Sequence, residues 1–141
     1  MKFATYNVEW FNTLFDDAGR LINDDTWSSR WSVTKAQQTA ALGTVFQTMD
    51  LDAVMIVEAP DTSRHRDGTV ALETFAKTFN LRARKAIIGF DNDTQQEIAF
   101  LYDPDLMDAK HAPLGDPVGK KGSRDAPRFD GAFKLDLDID A

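Results

Sequence analysis

Five consecutive apolar residues, Ala53-Val54-Met55-Ile56-Val57, lie between the carboxylates of Asp52 and Glu58. The run is too short for a helix and lacks polar alternation, so it predicts a strand buried on both faces, which needs a covering layer on each side. The residues before it supply two partners. Lys2 to Val8 mixes Phe, Thr, Tyr and Val with a period near two, and predicts a short strand stopping near Asn7. Val33, Ala36, Ala40, Gly43, Phe46 and Met49 recur three to four apart, which predicts a helix over about Thr34–Met49, broken by Asp50-Leu51-Asp52. A strand-helix-strand crossover is right-handed and its strands are parallel, so Asn7 and Glu58 should end neighbouring strands at one edge of a sheet.

Further along, Asp67-Gly68-Thr69 can start a second helix, with Leu72, Phe75, Ala76 and Phe79 on one stripe and Asn80 as its stop. Arg84–Phe90 and Glu97–Tyr102 read as strands of a hairpin joined by the turn-forming Asp91-Asn92-Asp93-Thr94. The segment after Asn7 carries Trp10, Phe11, Phe15, Trp27 and Trp31 among Asp16, Asp17, Asp24 and Asp25, and predicts a long structured loop whose aromatics pack. His111 to Gly131 reads as a connector, and its Lys120, Lys121, Arg124 and Arg128 as a local basic patch that fits a solvated connector better than a track for a nucleic-acid backbone. Phe129–Ile139 alternates as a strand. Its Asp136, Asp138 and Asp140 fit a solvent face better than a calcium loop, because the glycine and the distal glutamate of such a loop are missing.

The 141 residues suffice for one domain. A net charge of −7 excludes a global basic field of the kind that drives non-specific nucleic-acid binding. Zero cysteines exclude thiol catalysis, a disulfide framework and thiolate zinc sites. With Asn7 and Glu9 inside any would-be leader and no long apolar run, the expectation is a soluble, cytoplasmic protein with no membrane partner.

Ligands in such sheets sit outside the carboxyl ends of the strands, where an amide oxygen of Asn7 and a carboxylate oxygen of Glu58 could share one hard cation. Oxygen donors of this kind suit magnesium. Arg64 and Arg66 follow Glu58 on the same edge and could hold a substrate phosphate, or equally belong to a solvated loop. His65 and His111 read as surface histidines.

Ala4-Thr5-Tyr6-Asn7-Val8-Glu9-Trp10-Phe11-Asn12, followed by Asp52-Ala53-Val54-Met55-Ile56-Val57-Glu58, resembles the opening of the endonuclease/exonuclease/phosphatase family, which includes deoxyribonuclease I-like nucleases. Gln96-Glu97-Ile98-Ala99-Phe100-Leu101-Tyr102 is similar to the next hairpin strand of that family. The resemblance implies that Glu58 is the principal ligand of Mg2+ (or Mn2+), that Asn7 binds the same ion directly or through water, and that the two are the catalytic residues of this half. It implies a magnesium-dependent phosphoesterase, most nearly a nuclease-like phosphodiesterase, acting on nucleic acid or another phosphodiester. Val57 stands where many members carry Gln.

The resemblance also implies an α+β fold: the N-terminal half of a two-sheet α/β sandwich, a mixed sheet with helices on its outer face and the second sheet missing. The family's water-activating carboxylate and histidines come from the second half and have no match in this sequence, so 1–141 is expected to be a single partial domain, truncated and inactive alone. Two helices cover one face of the sheet, and the uncovered face is expected to drive self-association. The alternatives are a non-catalytic metal-binding or protein-interaction module, or a phosphomonoesterase of the same fold.

Overall fold

A computed structural model describes residues 1–90, 96–112 and 131–135. The chain runs β1 (Phe3–Asn7), a 3-10 turn (Phe11–Leu14), α1 (Lys35–Met49), β2 (Ala53–Pro60), α2 (Gly68–Thr78), β3 (Lys85–Ile88), β4 (Gln96–Tyr102), β5 (Met107–His111) and β6 (Gly131–Leu135). The first four strands form a mixed sheet in the order β1-β2-β4-β3. β1 lies parallel to β2 with Asn7 opposite Val57, and β4 runs antiparallel to both β2 and β3. The parallel crossover and the β3–β4 pairing are therefore as the sequence predicts. The turn Asp91–Thr94, the basic patch and the Asp136–Asp140 run lie outside the described residues.

Local chemistry sets the helix starts. Thr34 Oγ1 accepts from the Gln37 amide at 3.1 Å while Gln37 Oε1 accepts from the Thr34 amide at 2.9 Å, a reciprocal cap on α1. Asp67 Oδ1 accepts from the Thr69 amide at 2.9 Å at the start of α2. Gly68 is required there, because a Cβ would stand 2.4 Å from the Pro60 carbonyl oxygen at the end of β2.

Alternation along the strands divides the core in two. Val54, Ile56, Ala86, Ala99 and Leu101 meet Leu42 and Phe46 of α1, Leu72 and Phe75 of α2, and Val8, Phe11 and Leu14 after β1. Phe75 is the hub, with ring centroids 5.1 Å from Phe11, 5.2 Å from Phe46 and 4.9 Å from Phe79. Rooting Phe11 in this cluster fixes the chain leaving Asn7. On the opposite face Ala53, Phe100 and Tyr102 pack with Met107, flanked by Met55, Ile87 and Ala109.

Four expectations need correction. The buried side of α1 is Gln38, Thr39, Leu42, Gly43 and Phe46, while Ala40 is exposed. Small residues spread round the helix left its inward face undefined by periodicity, and the Gln38 amide bond to the Glu9 carbonyl at 3.2 Å takes an inner position. The tryptophans of the long loop do not join the core: Trp10, Trp27 and Trp31 are 40%, 67% and 86% exposed, and of its large apolar residues Phe11, Leu14 and Phe15 are the buried ones. His111 ends a strand rather than opening a connector, its ring edge-on to Phe90 at 4.7 Å. The second face is not bare, because the antiparallel pair β5–β6 brings Met107 and Ala109 over its β3–β4 side. On the β1 side Phe3, Thr5 and Asn7 remain exposed. Among the described residues no helix is long and apolar enough to cross a membrane.

Candidate functional site

β1 and β2 stay paired one residue beyond Asn7, where the Val8 amide donates to the Val57 carbonyl at 3.0 Å. There β2 breaks register. Val57 faces Ile98 and Ala59 faces Glu97, so Glu58 is the extra residue of a bulge, with a φ of 60°. Left-handed backbone is costly for a glutamate, about 1 to 3 kcal/mol, and persists only where the surroundings enforce it. The bulge re-aims the side chain along the sheet edge, and Asn7 Nδ2 donates to Glu58 Oε1 at 3.2 Å. The two residues singled out in the sequence, 51 positions apart, thus meet.

Their chemistry fits a hard cation held loosely. One carboxylate and one amide oxygen leave most of an octahedral shell to water and substrate, which is how magnesium is commonly bound. Among the described residues no group of three or more His, Cys, Asp or Glu side chains could hold a metal.

The two arginines part company. Arg64 is exposed in the loop after β2, where its Nε donates to His65 Nε2 at 3.2 Å. Arg66 is only 10% exposed and serves as a clasp: it pairs with Asp61 and donates to the carbonyls of Asn12 at 2.9 Å and Phe15 at 3.2 Å. Those bonds tie the loop after β2 to the loop after β1. A guanidinium so occupied positions the site's two loops and has little left for a phosphate.

The long loop is ordered by its own carboxylates. Asp16 accepts from the amides of Ala18 and Arg20 and from Arg20 Nε, and the Arg20 amide foremost holds its carboxyl below the ordinary aspartate range. Asp24 is lowered likewise, chiefly by the Thr26 hydroxyl. Glu9 bridges two groups: Trp10 Nε1 donates to its Oε1 and Arg30 Nη1 to its Oε2, each at 3.0 Å.

Sequence reasoning missed Asp61 as the partner of Arg66, and the Glu9–Arg30 bridge across 21 positions. It also gave no special place to Glu97, a fully buried carboxylate opposite Ala59 beside the bulge. The Asp61/Arg66 spacing across a short loop was a usable signal; the other two depend on tertiary contacts. The chain matches no protein-family model, no curated protein and no solved structure.

Proposed function

We propose that this chain is the N-terminal part of a magnesium-dependent phosphoesterase, most nearly a nuclease-like phosphodiesterase, with Glu58 and Asn7 as the residues that hold Mg2+ or Mn2+. One observation carries the reading: Glu58 occupies a left-handed bulge at the carboxyl end of a buried strand, with its carboxylate on Asn7. A strained, bulky residue aimed at a polar partner on a sheet edge is the kind of outlier that marks function.

When bound, the cation supplies Lewis acidity, drawing charge from a phosphoryl oxygen and the leaving oxygen. Glu58 contributes the formal charge that retains it and Asn7 an oxygen that fixes its direction. Arg64 is exposed on the loop after Glu58 and can meet a non-bridging phosphate oxygen. Arg66 keeps the two loops together. Water activation requires a base in line with the leaving oxygen, and the resemblance assigns that base to the other half of the fold.

Titration of Mn2+ into the purified chain tests the reading. Binding is expected in the millimolar range, as for other water-rich sites, and Glu58→Gln should weaken it by about tenfold or more. Equal binding by both proteins would overturn the assignment. A second reading, a metal-holding interaction module without chemistry, draws on the site's having two donors among the described residues. Magnesium-dependent phosphodiester hydrolysis by the complete protein, lost in Glu58→Gln, separates the two.

A further inference from the structure

Three tryptophans stand out from the long loop into solvent, and two of them, Trp10 and Trp31, have φ of 61° and 69°. Left-handed backbone is a genuine outlier for so bulky a residue; Trp31 gains little burial in return, and Trp10 still leaves 40% of its surface exposed. Glu9 holds the Trp10 indole and the Arg30 guanidinium side by side on its two oxygens, each at 3.0 Å. Trp31 follows Arg30 directly. Trp10 lies three residues beyond Asn7, so chain length alone keeps its Cα within about 11 Å of the Asn7 Cα.

We propose that Trp10, Arg30 and Trp31 form a stacking surface for unpaired nucleobases, so that the phosphodiester offered to Glu58 and Asn7 is that of a single-stranded nucleic acid. This names a substrate class for the site and rests on the reading above for the place of the scissile phosphate. Every base has a flat π face that an indole accepts whatever the sequence, and a guanidinium beside it can take the adjoining phosphate.

Other occupants fit the surface less well. A cationic headgroup also favours indole faces, but Arg30 already neutralises the carboxylate beside Trp10. A bilayer-inserting loop mixes aromatic with aliphatic side chains, whereas the exposed large apolar residues of this loop are all tryptophans. Duplex DNA keeps its bases stacked inside and is read by dense phosphate contacts. The loop from Glu9 to Trp31 opposes such contacts, with five carboxylates against two arginines. Affinity should therefore come from stacking, with little dependence on salt.

Tryptophan fluorescence of the full chain in a chelator, titrated with an eight-residue oligothymidylate, tests the proposal. Saturable quenching is expected, with a log K against log salt slope near −1, and at least tenfold weaker binding to the same sequence in a duplex. Trp10→Ala and Trp31→Ala should each weaken binding by about 5- to 100-fold, while Trp10→Phe, which keeps a stacking face, should retain most of it. Trp31 is so exposed that its removal leaves the fold intact. No quenching, unchanged affinity in both alanine variants, or equal affinity for duplex would overturn the proposal. So would a blue shift with phosphatidylcholine vesicles and no response to the oligonucleotide. Manganese binding through Glu58 without oligonucleotide binding defeats this inference alone, and oligonucleotide binding with metal affinity indifferent to Glu58→Gln defeats the metal reading alone.

Discussion

The two edges of the four-stranded sheet are built on opposite terms. At the amino edge of β2 the charges satisfy one another. Asp52 accepts from the Lys2 amide and from Arg82 Nη1, both at 2.6 Å, while Arg82 also bonds Asp50 at 2.8 Å and Arg84 pairs with Asp105 at 3.0 Å. Asp103 joins both arginines at 3.4 Å. At the carboxyl edge Glu58 and Asn7 share one bond of 3.2 Å, and the loop that leaves β1 there carries three exposed tryptophans. Backbone strain follows the same division. The left-handed Asp50 caps α1 and the left-handed Asn80 follows the end of α2, places where short polar residues adopt that conformation readily. The left-handed residues at the other edge are Trp10, Trp31 and Glu58. One edge is closed by its own ion pairs; the other keeps its strained residues without such a network.

Asp52→Ala should separate the edges most sharply. It strands the Lys2 amide and removes a charged partner from Arg82 at a position where the carboxylate is nearly buried. A loss of about 2 to 3 kcal/mol in urea unfolding is expected, with manganese affinity unchanged. A drop in manganese affinity as large as that of Glu58→Gln would mean that the edges are not independent.

Glu58→Gly should act in the opposite sense and more weakly. Glycine adopts a φ of 60° without strain, so stability should rise by about 1 kcal/mol as metal binding disappears. The matched change at the amino edge, Asp50→Gly, also relieves a left-handed residue but forfeits the Arg82 pair, and should give no such gain. Destabilisation by Glu58→Gly would show that the carboxylate holds the bulge together, which would place it with the structural edge.

How far the sequence could be read follows from the same physics. Local signals, such as the apolar run of β2, the Thr34 and Asp67 caps and the alternation of β1, depend on near neighbours and placed the sheet, both helices and the meeting of Asn7 with Glu58. What eluded reading depends on distant partners. Met107–His111 alternates over only five residues, too short a run to stand out, and forms a strand by pairing with Gly131–Leu135, some twenty residues away at the nearest. The bulge carries no glycine to advertise it, and Arg66 resembles a phosphate ligand until Asp61 and two carbonyls are found around it. Tryptophans in a loop suggested packing because aromatics usually bury, and their exposure depends on the loop's own path, which no local signal marks.

The smallest expected effect is in acid, and its sign follows from the amino-edge network. The Lys2 amide first, and then Arg82, hold the Asp52 carboxyl below its ordinary value; Arg82 does the same to Asp50, and both carboxylates in turn raise the guanidinium. Arg82 therefore stays charged throughout, and the aspartates are the groups that titrate. A carboxyl depressed in the folded state contributes stability that is complete above its unfolded pKa, about 3.9, and is lost as pH falls through the lower folded value. Below about pH 5 the urea midpoint of the wild type should start to fall, and Asp52→Asn should begin less stable at neutral pH and fall less steeply down to about pH 3. Arg82→Gln should flatten the same limb from the other side, by removing a cation that both Asp50 and Asp52 share. If the acid limb kept its full slope in both variants, the amino-edge charges would not be stabilising the folded state through this network, and the contrast between a satisfied edge and an open one would have to rest on the bulge and the tryptophans alone.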